Sequence, residues 1–277
     1  MNITTKLLAL ITCLFILCGC FVSCKKDQQN DGENNNVNEE TGGENNSGDT
    51  EEPEETSDSY TVTVKTVYET KDAKMKDAIA AIGSPTTTIS FDGDNIKVDS
   101  FATVNDITTK TDYVYIDGVI YYANEISVGE LFLSEYKKAN MNAEQKSQLL
   151  SDVGAGANIS KEDFSQSNTE PHGYSIIYTC TGISSDAKES LCNIFASKFE
   201  AIGATVKLSD VTYCFETIKG EITSSKISCN FVINMGGEEY KVTMHLNYEY
   251  NYDAEVSISA PRDAEEYLDA SLEEILG

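Results

Sequence analysis

Hydrophobic and polar residues alternate along several stretches of the chain after Ser59. The clearest stretch, YKVTMHLNYEYN from Tyr240, carries an apolar or aromatic residue at every second position and polar residues between them. A period of two sustained over this length predicts a long β-strand with one buried face and one solvated face. The same pattern, in stronger or weaker form, predicts further strands at 60–68, 173–180, 226–235 and 256–260.

Short pairs of turn-forming residues separate the alternating stretches. Asp92-Gly93, Asp117-Gly118 and Gly236-Gly237 are typical of two-residue hairpin loops, and Lys219-Gly220 is a weaker example. Such loops need positive φ angles, which Gly, Asn and Asp tolerate. These hairpins predict about eight strands in antiparallel order, in addition to the isolated strands.

Helical spacing interrupts the strands at four places. The strongest segment, 186–202, has a stripe of large apolar residues and precedes Gly203, and Asp186 and Glu189 resemble a capping box at its start. An order of strands, helices, strands and a last helix is typical of an α+β fold and differs from the alternation that builds a parallel sheet. The other predicted helices are 73–82, 142–153 and 263–276, the last following Pro261.

The N-terminal residues have the pattern of an export signal. Lys6 precedes an apolar run at 7–17 that is shorter than the ~20 residues needed to cross a bilayer. The sequence LCGC that follows resembles a bacterial lipobox. This resemblance implies that residues 1–19 are a lipoprotein signal peptide, and that a diacylglyceryl group on Cys20 anchors the protein to the extracytoplasmic face of the cell membrane. Cys24, which directly precedes polar sequence, is the alternative lipidation site, and an ordinary signal peptide or an uncleaved anchor also remains open.

Residues 20–58 are predicted to form a lipid-anchored, disordered acidic tether. The segment 27–58 contains 12 Asp or Glu, no Lys or Arg, and Val37 as its one aliphatic residue. It cannot bury enough apolar surface to offset the entropy lost on ordering its backbone. The tether is interpreted as a spacer, with an acidic docking tail as the alternative.

The remaining residues, 59–277, are predicted to be an exported folded domain. They include 17 Lys or Arg and 34 Asp or Glu, a net charge of −17. So acidic a surface repels phosphate backbones, which excludes nucleic acid as a partner. Their number is sufficient for one large domain or two small ones.

The run of predicted strands at 211–267, together with the stretches IKVDS and YVYIDGVIYY, is similar to the LolA-type and LppX-type lipoprotein carriers. The resemblance implies an α+β fold class in which a long, curved antiparallel sheet forms an unclosed half-barrel. It also implies that helices pack on the concave apolar face and that the hollow binds acyl chains. No residue of this sequence matches a defined lipid-contact motif of that family.

No pattern of catalytic or metal-ligating residues stands out. Neither His172 nor His245 lies near a nucleophile signature, so no catalytic residue is predicted. The cysteines of the domain lack C-x-x-C spacing, and neither a metal nor a cofactor is predicted. Three disulfide pairings, or a fully reduced state, are open for Cys180, Cys192, Cys214 and Cys229.

We therefore predict a membrane-anchored extracytoplasmic lipoprotein that binds or carries a lipid or other hydrophobic ligand and is not an enzyme. The alternative is a protein-interaction or sensory module of the envelope, in which the same apolar residues fill an ordinary core. No protein partner is identified by the sequence. The candidate lining residues of a lipid cavity are Phe195, Phe231, Leu246 and Tyr248.

Overall fold

A computed structural model of the protein describes residues 59–80, 84–104, 106–152, 159–200 and 204–276. The predicted signal peptide, both candidate lipidation cysteines and the acidic tether lie outside these residues. Among the described helices, none combines the length and the apolar character needed to span a membrane.

Strands dominate the described part of the chain. The strands are β1 (Ser59–Glu69), β2 (Thr86–Asp92), β3 (Asn95–Val104), β4 (Ile107–Ile116), β5 (Val119–Val128), β6 (Leu131–Asn140), β7 (Phe164–His172), β8 (Ser175–Ile183), β9 (Ala204–Ile218), β10 (Glu221–Met235), β11 (Glu238–Asn251) and β12 (Leu268–Asp269). The helices are α1 (Ala73–Ala80), α2 (Ala143–Asp152), α3 (Ser185–Glu200) and α4 (Leu272–Leu276), with a 3-10 turn at Lys161–Asp163.

The twelve strands form one sheet in the order β12-β6-β5-β4-β3-β2-β1-β11-β10-β9-β8-β7. Neighbours are antiparallel except for β12, which pairs in parallel with β6 through two residues. Most strands pair with their neighbours in the chain, whereas β1 pairs with β11 and thereby joins the two halves. The sheet is mixed and not closed, with β7 at one edge and β6 with its short partner β12 at the other.

Alternation gives the sheet an inner face, which carries the buried side chains, and an outer face. On β11 the prediction is confirmed, because Val242, Met244 and Leu246 are buried while the residues between them are not. These side chains lie opposite Phe231, Cys229 and Ile227 of β10, which are also buried. The buried cluster on the inner face continues from β5 to β7.

A β-bulge interrupts the alternation on β9. Leu208 pairs with Phe231 and Asp210 with Asn230, so Ser209 is an extra residue between them. Its hydroxyl donates a hydrogen bond to the carbonyl of Asn230 over 2.8 Å. Because of the extra residue, Leu208 and Val211 both face the core although they are three positions apart.

Hairpins form at all four predicted places, although the loop predicted at Asp92-Gly93 consists of Gly93 and Asp94. Asp117 and Gly118, with φ of 50° and 80°, connect β4 to β5 without other loop residues. Two positive φ angles in succession are what the right-handed twist of paired strands favours in a two-residue loop. The structure also contains hairpins that the sequence did not predict, turning at Asp106, Gly129 and Gly173.

The predicted fold class, α+β with helices packed on the concave apolar face of a half-barrel, is wrong. Strands of 15 residues, such as β9 and β10, are about 50 Å long, and twelve strands spaced ~4.8 Å apart make a sheet ~53 Å wide. The longest described helix has 16 residues and spans only about 24 Å. The described helices are too few and too short to cover such a face, and α3, α4 and α1 chiefly contact one strand each.

Two local predictions also fail. Residues 256–260 are not a strand, and of the predicted helix 263–276 only Leu272–Leu276 is helical. Tyr267 packs against tyrosines of the sheet instead of lying on a helical stripe, so tertiary contacts outweigh the local spacing. The cap of α3 is Ser184, whose hydroxyl accepts a hydrogen bond from the Ala187 N–H, and not the predicted pair of Asp186 and Glu189.

The burial of Leu246 yields a test of whether this position belongs to a packed core. Truncation of a packed core leucine removes apolar contacts and leaves a cavity, so Leu246→Ala should lower the free energy of unfolding by about 2–5 kcal/mol. Leu268→Ala is the matched control, because Leu268 is 68% exposed. Urea unfolding of both variants measures the difference, and equal, small effects would show that Leu246 faces open space.

Candidate functional site

The chain crosses the outer face of the sheet after β11. We call residues 252–267 the C-terminal strap. They contain no strand pairing. The strap is held near its middle by the backbone N–H of Ile258, which donates to a carboxylate oxygen of Asp92 over 3.0 Å. Farther along, the Lys138 ammonium donates to the carbonyl of Ala264 over 3.1 Å.

Aromatic contacts fasten the far end of the strap. The ring of Tyr267 lies 5.6 Å from that of Tyr121 in an edge-on arrangement and 5.4 Å from that of Tyr136. Both partners project from the outer face of β5 and β6. Rings at these separations and tilts attract each other beyond the apolar area they bury. The strap is therefore attached at both ends of its path over β3, β4 and β5.

A cavity of 340 Å³ lies between the strap and the outer face of the sheet. Its size falls within the range of pockets that hold small molecules. Polar and apolar groups share its wall about equally, so the cavity is more polar than most pockets that hold small molecules. The wall consists of Lys97, Asp112, Val114, Tyr121 and Ala123 from the sheet, and of Ser257, Ile258, Ser259, Ala260, Pro261, Arg262 and Tyr267 from the strap.

Asp112 is the acidic group of the cavity. One of its oxygens, Oδ2, lies 2.5 Å from the ammonium of Lys110. The other, Oδ1, is buried and has no hydrogen-bond partner among the described residues. Burial is the main reason why the pKa of Asp112 is raised, and the contact with Lys110 offsets part of that effect. An atom this buried cannot be reached from the cavity unless the wall moves, so Asp112 contributes its carboxylate group to the wall but not an accessible Oδ1.

Arg262 is the basic group of the strap and the only arginine of the sequence. No carboxylate of the described residues lies within ion-pair distance of its guanidinium, whereas the ammonium of Lys97 lies 2.8 Å from Asp99. Arginine presents several donors in a planar fork. The cavity therefore combines an available donor group with a carboxylate group in the same wall.

The predicted lipid-contact residues that the structure describes do not line the cavity under the strap. Phe231, Leu246 and Tyr248 are buried in the continuous core cluster of the inner face. Burial raises the pKa of the Tyr248 hydroxyl, as expected for a phenol removed from water. None of the three lines the cavity under the strap, which lies on the opposite face of the sheet. The side chain of Phe195, on α3, lies outside the described part of the structure.

His245 has neighbours that the sequence did not reveal. Its Nδ1 lies 2.8 Å from the Ser228 hydroxyl and its Nε2 lies 3.6 Å from a Glu69 carboxylate oxygen. The order serine, histidine, acid resembles a hydrolytic triad. However, Ser228 lies on a strand paired on both sides, so nearby backbone N–H groups are used by the ladders and are not free to stabilise an oxyanion. The cluster is interpreted as a hydrogen-bonded group of the outer face.

The imidazole of His172, unlike that of His245, contacts a carboxylate and not a serine hydroxyl. Its Nδ1 lies 3.7 Å from Glu216, and the Ser175 hydroxyl contacts the same carboxylate and not the imidazole. The hydrogen bond from Ser175 is the main reason why the pKa of Glu216 is lowered. A carboxylate whose pKa is lowered is a much weaker base than an imidazole, so this arrangement does not activate Ser175 in the way that a histidine would.

The described cysteines are free thiols. Cys180 and Cys229 are buried, and Cys192 and Cys214 are partly exposed. Burial raises the pKa of Cys229 to about 12, which keeps it protonated and unreactive near neutral pH. Within the described ranges, no three residues of the types Cys, His, Asp and Glu come together as a metal site.

Comparisons with known proteins identify no family. No family model matches the chain, and no curated protein matches it. Among solved structures, the ywiB protein from Bacillus subtilis has 10% identity and a TM-score of 0.17, covering 69% of this chain and 90% of its own. An inactive mutant of the CurJ dehydratase has 6% identity and a TM-score of 0.13, covering 70% of this chain and 75% of its own. Likenesses this weak indicate neither fold nor function.

The raised pKa of Asp112 predicts a pH-dependent effect of Asp112→Asn. A carboxyl group with a raised pKa in the folded state lowers stability above that pKa, and this cost disappears as the pH falls through it. We expect the variant to have a higher free energy of unfolding than the parent at pH 7, with a gap that shrinks towards pH 4. Urea unfolding at several pH values measures this.

The control is Asp210→Asn, which changes an exposed aspartate of β9. This variant should follow the parent protein across the whole pH series. A lower stability of Asp112→Asn at pH 7 would contradict the prediction, because it would mean that the contact with Lys110 outweighs the cost of burying the carboxylate.

Proposed function

We propose that this protein is a membrane-anchored, extracytoplasmic binding module that recognises a small polar molecule under its C-terminal strap and catalyses no reaction. The observation that carries the proposal is the cavity itself, whose wall combines the guanidinium of Arg262 and the carboxylate group of Asp112 with tyrosine rings. This proposal corresponds to the sensory or interaction module with a filled core, not to the lipid carrier.

The position of the predicted lining residues favours this choice. Phe231, Leu246 and Tyr248 pack in the buried cluster of the inner face, where a lipid carrier would need a hollow. Apolar side chains that pack against each other stabilise the folded protein. Separating them to admit an acyl chain would remove those contacts and lower the free energy of unfolding. The outer-face cavity needs no such opening.

The charges restrict the class of ligand. The sequence has a net charge of −26, so the protein repels an anion that comes within about one Debye length of its surface. The wall contains donors and acceptors in addition to aromatic faces. A neutral or zwitterionic molecule with several hydroxyl, amide or ammonium groups fits these conditions, since it can bond both Arg262 and Asp112.

The single arginine provides a direct test. In a proton–nitrogen correlation NMR spectrum of the nitrogen-15-labelled protein, Arg262 should give the one arginine Nε–Hε resonance, because the sequence contains a single arginine. We expect a monosaccharide, disaccharide, amino acid or dipeptide to shift this resonance in a saturable manner. Arg262→Lys keeps the charge but loses the planar fork, so it should weaken the binding of that molecule about tenfold, as measured by calorimetry.

Lys226→Ala is the control for this experiment, because it removes an exposed cation from the outer face of β10 and leaves the cavity intact. It should bind as the parent does. Failure of all four ligand classes to shift the resonance would contradict the small-molecule part of the proposal. If native mass spectrometry then showed a lipid that is released by organic solvent, the carrier hypothesis would replace it.

The anchor is tested separately by metabolic labelling with a palmitate analogue in a bacterium that makes the protein. The lipobox resemblance predicts that the parent and Cys24→Ala incorporate the label and that Cys20→Ala does not. Loss of labelling in Cys24→Ala alone would move the anchor to Cys24. An unlabelled parent protein would contradict the lipoprotein assignment.

A further inference from the structure

The two edges of the sheet differ in how they are protected. At one edge, β7 has the sequence FSQSNTEPH, in which every residue after Phe164 is exposed and polar or proline. Polar side chains and a proline are devices that keep an edge strand from pairing with other chains. At the other edge, the first half of β6 has the sequence LFLSEY and carries neither a proline nor a lysine.

The exposed half of β6 is strongly apolar. Leu131, Phe132 and Leu133 are 74%, 58% and 68% exposed, although they are consecutive residues of a regular strand. Leu131 and Leu133 lie on the inner face, where Val128 and Ile107 of β5 and β4 extend the apolar surface, and Phe132 lies on the outer face. Exposed apolar patches of this kind mark sites of association more often than isolated hydrophobic residues do.

The backbone of the same segment has a strand partner on one side only, among the described residues. On one side β5 pairs with β6 along its length, whereas on the other side β12 pairs only with Lys137 and Lys138, and none of the described strands pairs with Leu131–Tyr136 on that side. The Lys138 carbonyl accepts a hydrogen bond from the Ala270 N–H, so the backbone of Lys138 points away from β5. In an antiparallel strand this direction alternates, which points the N–H and C=O groups of Phe132 and Ser134 outward as well.

We propose that β6 is a self-association edge, at which two copies of this chain join their sheets through antiparallel pairing of β6 with β6 centred on Phe132. The sequence Leu131-Phe132-Leu133 reads the same in both directions. Pairing about a two-fold axis at Phe132 therefore sets each Leu131 opposite Leu133 of the other copy, and the two Phe132 residues opposite each other. Leucine then packs beside leucine on the inner face, and phenylalanine beside phenylalanine on the outer face.

The register also satisfies the backbone. The two copies of Phe132 exchange a pair of N–H···O=C hydrogen bonds, because both groups point outward. A two-fold arrangement is self-complementary and closes with the second copy, so that the edge does not promote open-ended growth. No other register of these strands matches leucine with leucine and phenylalanine with phenylalanine.

Charge opposes the association and makes it dependent on salt. The domain has a net charge of −17, so two copies repel each other, and screening shortens that repulsion from ~30 Å at 0.01 M salt to ~3 Å at 1 M. An interface formed chiefly by one strand from each copy is small and transient. We expect a dissociation constant of about micromolar to millimolar for the dimer. The dimer should therefore strengthen as salt is added.

Sedimentation equilibrium tests the proposal on the whole exported chain, residues 20–277, carrying Cys20→Ser and Cys24→Ser so that no lipid is attached. We expect a monomer–dimer equilibrium that tightens from 0.05 to 0.5 M NaCl. Phe132→Pro removes the outward N–H without touching the bonds to β5, and should weaken the dimer about tenfold or more. Leu133→Lys places a guarding charge on the edge and should weaken it as well.

Ile176→Lys is the control, since it changes an exposed isoleucine on β8 near the opposite edge and should leave the dimer unaffected. Concentration-dependent protection of the Phe132 and Ser134 amides from hydrogen exchange would place the contact on β6. A monomer at every concentration and salt level would overturn the proposal, as would a dimer indifferent to both β6 variants. A monomer that instead sediments with phosphatidylcholine–phosphatidylglycerol vesicles would identify the patch as a membrane contact and reject self-association.

Discussion

The ladder between β1 and β11 is the interaction on which the rest of the sheet depends. It pairs Thr61 with Asn251 and continues to Glu69 and Thr243, joining strands at opposite ends of the described chain. Apart from the short β12–β6 pair, the other ladders connect strands that follow each other in sequence. Without β1–β11 pairing, β1–β6 and β7–β11 would be two separate meanders, each with an apolar face only partly covered and an additional open edge.

This ladder also determines where the outer-face cavity forms. Because β11 ends beside the beginning of β1, the chain that follows leaves the middle of the sheet and must cross its outer face to reach β6. The path brings Arg262 and Pro261 over the strands that carry Asp112 and Tyr121. The cavity is thus a consequence of a strap laid on a pleated surface, held by specific contacts at Ile258 and Tyr267.

The described helices are too short to cover the apolar inner face of the sheet, and this is the second constraint on the fold. A sheet about 53 Å wide, with strands up to about 50 Å long, cannot be covered by helices of 16 residues or fewer. The inner face is filled mainly by its own side chains, and the apolar surface at the far end of β5 and β6 is left exposed. The proposed self-association of β6 is a response to that shortage of cover, since pairing with a second copy buries side chains and backbone groups together.

Local patterns were sufficient for the longest strands and several hairpins, but not for the C-terminal segment or for the site. Alternation at Tyr240–Tyr248 and the turn at Asp117-Gly118 are properties of neighbouring residues, and both predictions are confirmed. The helix expected over 263–276 is mostly absent because Tyr267 gains more from the rings of Tyr121 and Tyr136 than from a helical stripe. Pro261 and Arg262 were interpreted as an entry to that helix, and no feature of the sequence associates them with Asp112.

The amino-acid sequence by itself determined which segments are long strands, where most of the hairpins turn and which side chains of β10 and β11 face inward. Each of these follows from the two-residue period of a strand and from the φ angles that glycine and aspartate accept. Only the tertiary structure decided the strand order, the bulge at Ser209, the strap over the cavity and the difference between the two edges. Those features arise from contacts between residues far apart in the chain, which no local pattern encodes.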